Sequence, residues 1–261
     1  MACSVVHIGL AASVFCGLVS GGCRPNEREI PVERVSCALY ADGKKVGGGV
    51  LIGTVKGGVT NVALLTARHV VTANRDYLRN LSATFPLDTG GDRRIVLRGD
   101  TRPRWLTVPS EAFDCAWILL NGDEMPAGTE WVDAGYVMAT AGQAIEKGCP
   151  MSIPLSASGG VFRYIDSGRI PDFPFEHNLR MRKAALEVST VFGITEVGES
   201  GGPVFVCDVE GKAVRLAGTT VGSNRDVWQT VFTEITNVID EVCAALSGGA
   251  ARRLADCPAL W

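Results

Sequence analysis

Hydrophobic residues in this chain occur in short runs that are separated by turn-forming residues. The first run is followed by Asp42-Gly43, a dipeptide that favours a hairpin turn. Short runs at this spacing predict an all-β sandwich or barrel, and the pattern lacks the alternation of strands and helices that is typical of a parallel sheet. The runs cover residues 35–41, 45–55, 61–71, 94–98, 114–120, 131–139, 150–155, 159–165, 185–193, 203–208, 213–222 and 227–235.

One helix is predicted near the C-terminal end, over 233–246, with Thr233 as its N-cap. Its apolar residues recur at spacings of three and four, as on one face of a helix. They are Ile235, Val238, Ile239, Val242 and Leu246. A turn-rich break near 122–128 divides the β region into two halves. We therefore predict two β units, 35–124 and 125–235, followed by a helix and tail over 236–261.

The N-terminal segment has the pattern of an export signal. Residues 1–23 contain no charged side chain, and the apolar run 8–19 is short for a bilayer span but suits a signal peptide. Small residues lead to Cys23, as in a bacterial lipoprotein signal. We predict a signal peptide over 1–23, a linker over 24–34, lipid attachment at Cys23, and a periplasmic or cell-surface location. The alternatives are an apolar N-terminal strand or a misplaced start codon.

The composition argues against certain classes of partner and cofactor. Charged residues make up 20% of the chain and the net charge is −3, so nothing favours nucleic acid, which usually binds a basic patch. No Cys-X-X-Cys pair occurs, and we expect no metal site and no cofactor. The cysteines beyond Cys23 are even in number, which is compatible with disulfides in an oxidising compartment. They are Cys37, Cys115, Cys149, Cys207, Cys243 and Cys257.

A Gly-X-Ser-X-Gly pattern around Ser200 raises the question of a nucleophile, although a glycine-rich turn would look the same. A serine nucleophile needs a histidine base, and the histidine needs a carboxylate to orient it. Of the three histidines, His7 lies in the predicted signal and His177 in a polar, proline-containing segment. His69 follows an apolar strand. Asp114 opens an apolar run, where an unpaired carboxylate would be costly to bury.

The order of these residues along the chain selects one architecture. No histidine follows Ser200, which excludes the Ser–acid–His order of α/β-hydrolases. Only one aspartate, Asp42, precedes His69, and it lies in a predicted turn, which argues against the Asp–His–Ser order of subtilisin. The remaining order is His69, Asp114, Ser200.

Three sequence blocks in this order resemble the trypsin/chymotrypsin-like serine protease family: "GGGVLIG" with "LLTARHVV", "DCAWILL", and "GESGGPVF". The resemblance covers about 35–235. It implies two packed six-stranded antiparallel barrels with the site between them, and a serine endopeptidase that acts through an acyl-enzyme. By position, His69 is then the general base, Asp114 orients it and Ser200 attacks. The N–H groups of Gly198 and Ser200 would form the oxyanion hole.

The sequence also departs from the family pattern. Glu199 stands where the family has aspartate, Val70 replaces a cysteine beside the histidine, and no Ile-Val-Gly-Gly activation terminus occurs. These departures favour the bacterial, exported branch of the family over the digestive enzymes.

The resemblance also places the substrate-binding residues. The floor of the pocket for the residue before the cut bond falls on Ile194, and the strand that pairs with the substrate on Val221, Gly222 and Ser223. An apolar floor predicts cleavage after small or medium apolar residues. A shift of the alignment by a residue would bring Glu196 into the pocket and favour a basic residue.

Two other functions are compatible with the sequence. The chain could be a catalytically inactive binding protein on the same fold, although such homologues commonly lack a triad residue. It could also be an esterase that uses the same three residues.

Overall fold

The computed structural model describes residues 29–73, 76–77, 80–86, 92–97, 106–107, 113–120, 125, 129–154, 162–170 and 186–247. Antiparallel strands make up most of these residues and fall in two groups, and a helix follows the second group. The predicted all-β architecture, with two β units and a C-terminal helix, is therefore confirmed.

Most strands of the N-terminal half form one sheet. They are β1 Ser36–Ala41, β2 Lys44–Lys56, β3 Val59–Thr66, β4 Thr72–Ala73, β5 Asp76–Tyr77, β6 Leu81–Pro86, β7 Asp92–Val96, β8 Leu106–Thr107, β9 Ala116–Leu120 and β10 Val132–Asp133. The sheet order is β7-β6-β1-β2-β3-β9-β8, with β10 parallel to β2, while β4 and β5 pair separately. Asp42 and Gly43 both have positive φ (49° and 77°), as a type I′ hairpin turn between β1 and β2 requires.

The strands of the C-terminal half close into a six-stranded barrel. They are β11 Pro150–Ser152, β12 Phe162–Ile170, β13 Leu186–Phe192, β14 Pro203–Cys207, β15 Ala213–Asn224 and β16 Gln229–Glu234. The order around the barrel is β11-β12-β13-β16-β15-β14. Closure leaves no edge strand with unpaired backbone groups.

The described helices are short: α1 Val32–Val35, α2 Arg68–Val71, α3 Ala134–Ala141 and α4 Ile239–Leu246. The prediction of a strand over 131–139 is wrong beyond β10. Asp133 caps α3 by accepting a hydrogen bond from the Tyr136 N–H (2.8 Å), which starts a helix in an alanine-rich stretch. The C-terminal helix begins later than predicted, because Thr233 pairs with Thr219 in the barrel and is not an N-cap.

Three apolar cores stabilise this arrangement. One lies inside the N-terminal sheet and another inside the closed barrel. The third lies between the two halves and includes one face of α4. Its larger members are Val50, Ile52, Leu65, Trp117, Phe205, Leu216, Val242 and Leu246. Because each fully buried residue of this size contributes about 1.5–3 kcal/mol, the third core fixes the two halves relative to each other.

Packing of the described residues begins at Ile30. The Ile30 N–H donates to the Ala213 carbonyl in β15 (2.8 Å), and the side chains of Ile30 and Val35 are buried. The last residues of the predicted linker are therefore part of the folded body. The predicted signal peptide and Cys23 lie outside the described residues. Within the described ranges, no helix has the length and apolar character needed to cross a membrane.

Within the described residues, Cys37, Cys115, Cys207 and Cys243 form no disulfide bond. Burial raises the pKa of the Cys37 and Cys115 thiols, so both stay protonated at neutral pH. Cys257 lies outside the described residues.

Candidate active site

His69 and Asp114 lie at the ends of two adjacent strands. After β3 ends at Thr66, the chain turns into α2, which carries His69. Asp114 precedes β9, which begins at Ala116. Since β3 and β9 pair antiparallel with Thr66 opposite Ala116, the residues that follow β3 meet those that precede β9. Strand pairing therefore brings together two residues that are 45 positions apart in sequence.

Asp114 contacts both the backbone and the ring of His69. The His69 N–H donates to Asp114 Oδ1 (3.1 Å), and His69 Nδ1 makes a short hydrogen bond with Asp114 Oδ2. The Asp114 side chain is 0% exposed and that of His69 is 15% exposed. Burial alone would raise the pKa of Asp114. The charge and hydrogen bonds of His69, with the charge of Arg68, outweigh burial and hold that pKa below its usual range.

This pairing fixes the chemistry of the imidazole. A carboxylate can only accept hydrogen bonds, so the neutral ring donates from Nδ1 and leaves Nε2 as an acceptor. The partly exposed ring of His69 thus has a defined acceptor nitrogen, which is what a general base requires.

Ser200 lies in the second of two consecutive β-turns that share Glu199. The Glu199 N–H donates to the Glu196 carbonyl (3.2 Å), and the Gly202 N–H donates to the Glu199 carbonyl (3.1 Å). The third residue of each turn is a glycine with positive φ: Gly198 (89°) and Gly201 (82°). The residue before each glycine lacks positive φ, so both turns are of type II.

The turn over 199–202, named the nucleophile turn after the predicted role of Ser200, packs directly against strand β2 of the other half. The Gly48 N–H donates to the Ser200 carbonyl (2.8 Å). A Cβ built on Gly47 would lie 2.5 Å from that same oxygen and 2.5 Å from Val70, the neighbour of His69. A Cβ on Gly201 would lie 2.2 Å from Thr66 Oγ1. Only glycine fits at these positions, and the close approach brings the Ser200 backbone beside the segment that carries His69.

The Ser200 hydroxyl donates to the Val221 carbonyl (3.0 Å). Within the described residues, Ser200 Oγ bonds to the Val221 carbonyl and makes no hydrogen bond to His69. The β15–β16 register shifts between Thr220 and Gly222, so Val221 is the extra residue of a β-bulge. The bulge re-aims the Val221 carbonyl toward the nucleophile turn.

The predicted substrate-binding residues flank this turn on two sides. Val221 is buried, whereas Gly222 and Ser223 are partly exposed in β15. Ile194 is also partly exposed and lies in the segment that follows β13. Glu196, the alternative pocket residue, is exposed.

Three hydroxyl groups tie the two sides together. Ser223 Oγ lies 2.6 Å from Thr195 Oγ1 and 3.0 Å from Thr230 Oγ1. The Thr195 N–H donates to Ser223 Oγ (2.9 Å), and Thr230 Oγ1 donates to the Gly193 carbonyl (2.9 Å). The segment after β13 is therefore fixed to the β15–β16 hairpin by polar contacts beside the residues predicted to form the pocket.

Sequence reasoning missed three features of the site: the contact of Gly47 with the nucleophile turn, the Val221 carbonyl and the carboxylate of Glu199. The Gly47-Gly48-Gly49 run was a usable signal for the first, since adjacent glycines in a strand indicate a close approach of another backbone. His177 lies outside the described residues. The described residues also hold no group of three or more His, Cys, Asp or Glu side chains that could bind a metal ion.

Comparison with solved structures shows that the chain has the trypsin-like protease fold. The active form of the Rv3671c protease from M. tuberculosis matches with a TM-score of 0.51 and 15% sequence identity, over 81% of each chain. The inactive form of the same protease matches with a TM-score of 0.48 and 14% identity, over 85% of this chain and 90% of the other. No protein-family model matches the chain, and no curated protein matches its sequence.

Proposed function

We propose that this protein is a serine endopeptidase that cleaves peptide bonds through an acyl-enzyme. The observation that carries the proposal is the pair formed by His69 and the buried Asp114 carboxylate, which lies beside the turn that contains Ser200. The peptidase needs only its protein or peptide substrate and no cofactor. The trypsin-like fold is compatible with this function.

The proposed reaction begins when the Ser200 hydroxyl rotates from the Val221 carbonyl to His69. Ser200 Oγ attacks the substrate carbonyl carbon while its proton passes to His69 Nε2. The oxyanion that forms accepts hydrogen bonds from the Gly198 and Ser200 N–H groups. The C–N bond then breaks, and His69 returns its proton to the leaving nitrogen. Asp114 stays ionised and keeps the proton of the imidazole on Nδ1.

Hydrolysis of the acyl-enzyme reverses these roles. A water molecule attacks the ester carbonyl and gives its proton to His69. The ester C–O bond to Ser200 then breaks, and His69 reprotonates Oγ. One peptide bond and one water are consumed, and a carboxylic acid and an amine are released.

A fluorophosphonate probe together with a peptide library tests this function. We expect covalent labelling at Ser200 and cleavage of peptides. Labelling without cleavage of any peptide, but with hydrolysis of simple esters, would favour the esterase alternative. Absence of both labelling and hydrolysis would contradict the proposal.

An inactive binding protein on this fold is the second candidate function. The hydrogen bond from Ser200 to the Val221 carbonyl favours this candidate, because the hydroxyl in this state is not bonded to the imidazole of His69. Peptide binding without turnover by the wild-type chain would support this candidate.

We also propose that the protein is exported, as in the bacterial branch of the trypsin-like family, and that it is lipid-anchored at Cys23. The uncharged segment 1–23 supports this location. The mature chain should begin at Cys23 and partition with membranes, and Cys23→Ser should release it. Intact Met1 on a soluble cytoplasmic product would contradict export.

A further inference from the structure

Glu199 is a buried acidic residue between the two groups assigned to the oxyanion hole. It is 2% exposed, although a buried carboxylate is expensive unless it accepts hydrogen bonds. Its Oε2 accepts the Glu196 N–H at 2.6 Å, slightly shorter than the usual N–H···O range. The carboxylate therefore folds back onto the start of its own turn.

The contacts of Glu199 close the turn in two ways. Its N–H donates to the Glu196 carbonyl (3.2 Å) and its carboxylate accepts from the Glu196 N–H. Its carbonyl closes the second turn, which contains Ser200. Glu199 is thus bound to Glu196 by backbone and side chain, and it links the conformations of the two turns.

The turn type determines which way the Val197–Gly198 peptide faces. Type I and type II turns differ by a flip of the peptide between the two central residues, and positive φ at the second central residue marks type II. Gly198 has φ 89°, which is the type II state. Neither the Gly198 nor the Ser200 N–H donates to another residue in the described part of the chain, so both remain available.

We infer that Glu199 is a positioning residue that holds the Val197–Gly198 peptide in its type II orientation and so preorganises the oxyanion hole. The inference rests on the proposed function for its catalytic consequence. A flip of this peptide would turn the Gly198 N–H away from the oxyanion hole and turn the Val197 carbonyl toward it, where negative charge develops in the reaction. Glu199 stabilises the correct orientation through the hydrogen bond that its carboxylate accepts from the Glu196 N–H.

The kinetic test compares Glu199→Ala with Glu199→Gln. Loss of one oxyanion donor typically costs about 10²–10³ in kcat, so we expect Glu199→Ala to lower kcat by about 100-fold with little change in KM. Glu199→Gln keeps an acceptor of the same reach for the Glu196 N–H and should recover most of the activity. Glu210→Ala, which removes an exposed turn glutamate far from the site, is the matched control and should behave like wild type.

Inhibitor binding separates positioning from a general loosening of the site. A peptide boronate forms a tetrahedral adduct with Ser200 that uses the oxyanion hole, whereas the same peptide as a C-terminal amide does not. Glu199→Ala should weaken the boronate by the same factor as kcat and leave the affinity of the amide unchanged. Equal weakening of both inhibitors, or wild-type kcat in Glu199→Ala, would overturn the inference while leaving the proposed function intact.

NMR decides the question even for an inactive protein. The short bond to the carboxylate should move the Glu196 amide proton downfield, and Glu199→Ala should abolish that displacement while Glu210→Ala keeps it. An unchanged Glu196 resonance would overturn the inference. If wild type neither hydrolyses peptides nor is labelled, the proposed function fails, and this resonance still reports on Glu199. Should Glu199→Ala fail to fold, Glu199→Asp, one methylene too short to reach Glu196, replaces it in both tests.

Discussion

The two halves of the molecule hold their site residues by different physical means. In the N-terminal half, His69 and Asp114 are fixed by the pairing of β3 with β9 and by the hydrogen bonds between His69 and the buried Asp114 carboxylate. In the C-terminal half, Ser200 lies in the second of two consecutive turns, each of which has a glycine with positive φ, and the Glu199 carboxylate accepts a hydrogen bond from the first turn. His69 is positioned by strand register and burial, whereas Ser200 is positioned by turn conformation.

The difference predicts how each half fails when it is changed. Removing a charge from the His69–Asp114 pair alters protonation but leaves the strands paired. Adding a methyl group to the nucleophile turn alters the backbone itself, because Gly47 and Gly201 leave no room for a side chain. Mutations in the two halves should therefore have separable effects on chemistry and on stability.

The largest effect should come from removing the nucleophile or the base. Ser200→Ala should lower kcat by about 10⁶ and abolish fluorophosphonate labelling, and His69→Ala should be similarly severe, because the members of a triad act as a unit. His177→Ala is the matched control and should retain activity. An inactive His177→Ala combined with an active His69→Ala would overturn the assignment of the base.

The second-largest loss of activity should come from replacing the Asp114 carboxylate with an amide of the same shape. Asp114→Asn should leave the fold intact but lower kcat by about 10⁴, because an amide can donate to Nδ1 and hold the wrong tautomer. Circular dichroism should match wild type. Near-normal kcat in this variant would mean that another group orients His69.

Glycine substitutions test the docking of the nucleophile turn on β2. Gly201 and Gly211 have nearly the same φ (82° and 84°), but a Cβ on Gly211 would meet nothing within 4 Å. Gly211→Ala should therefore cost about 1–2 kcal/mol for its backbone conformation alone. Gly201→Ala should cost a further 1–3 kcal/mol or so from overpacking and should also lower activity. Urea unfolding compares the two, and equal losses would mean that the turn moves away from β2 without penalty.

The fold and the contact between His69 and Asp114 could be predicted because they depend on local patterns. Runs of apolar residues indicated the strands, and Asp114 at the start of a run indicated a buried partner. The helix α3 was missed because its signal is a single capping residue, Asp133, inside an apolar stretch. A period-two pattern and a short apolar helix look alike at this length.

The nucleophile turn was only partly predictable, for a different reason. Gly198 and Gly201 are typical turn residues, but the acceptors of the site are backbone carbonyls and a carboxylate whose partners depend on three-dimensional contacts. The β-bulge at Val221 arises from a register shift between β15 and β16 that no residue type specifies. Glu199 looked like a departure from the family pattern, and only its bond to Glu196 indicates what it does.

A smaller effect concerns stability in acid, where the His69–Asp114 pair can be measured without any substrate. The pKa of Asp114 is lower in the folded chain than the value of about 3.9 expected when it is unfolded. The carboxylate therefore stabilises the fold above about pH 4, and this contribution is lost as the pH falls through the folded pKa. The difference in urea unfolding between wild type and Asp114→Asn should be larger above about pH 4 than in more acidic solution, where it should shrink as the pH falls through the folded pKa of Asp114. A constant difference from pH 7 to pH 3 would contradict the pairing.

The smallest effect concerns the hydroxyl groups beside the predicted pocket. Ser223→Ala removes contacts to Thr195 and Thr230 and leaves the strand β15 intact. Each such hydrogen bond contributes roughly 0.5–1.5 kcal/mol, so kcat/KM should fall by about tenfold or less. If Ser223 only ties the loop to the hairpin, a peptide library should show the same loss for every residue before the cut bond, with apolar residues still preferred as the Ile194 floor predicts. A selective change for polar residues would instead mean that the Ser223 hydroxyl contacts the substrate. Dominant cleavage after Lys or Arg by the wild-type chain would contradict the assignment of Ile194 to the pocket floor.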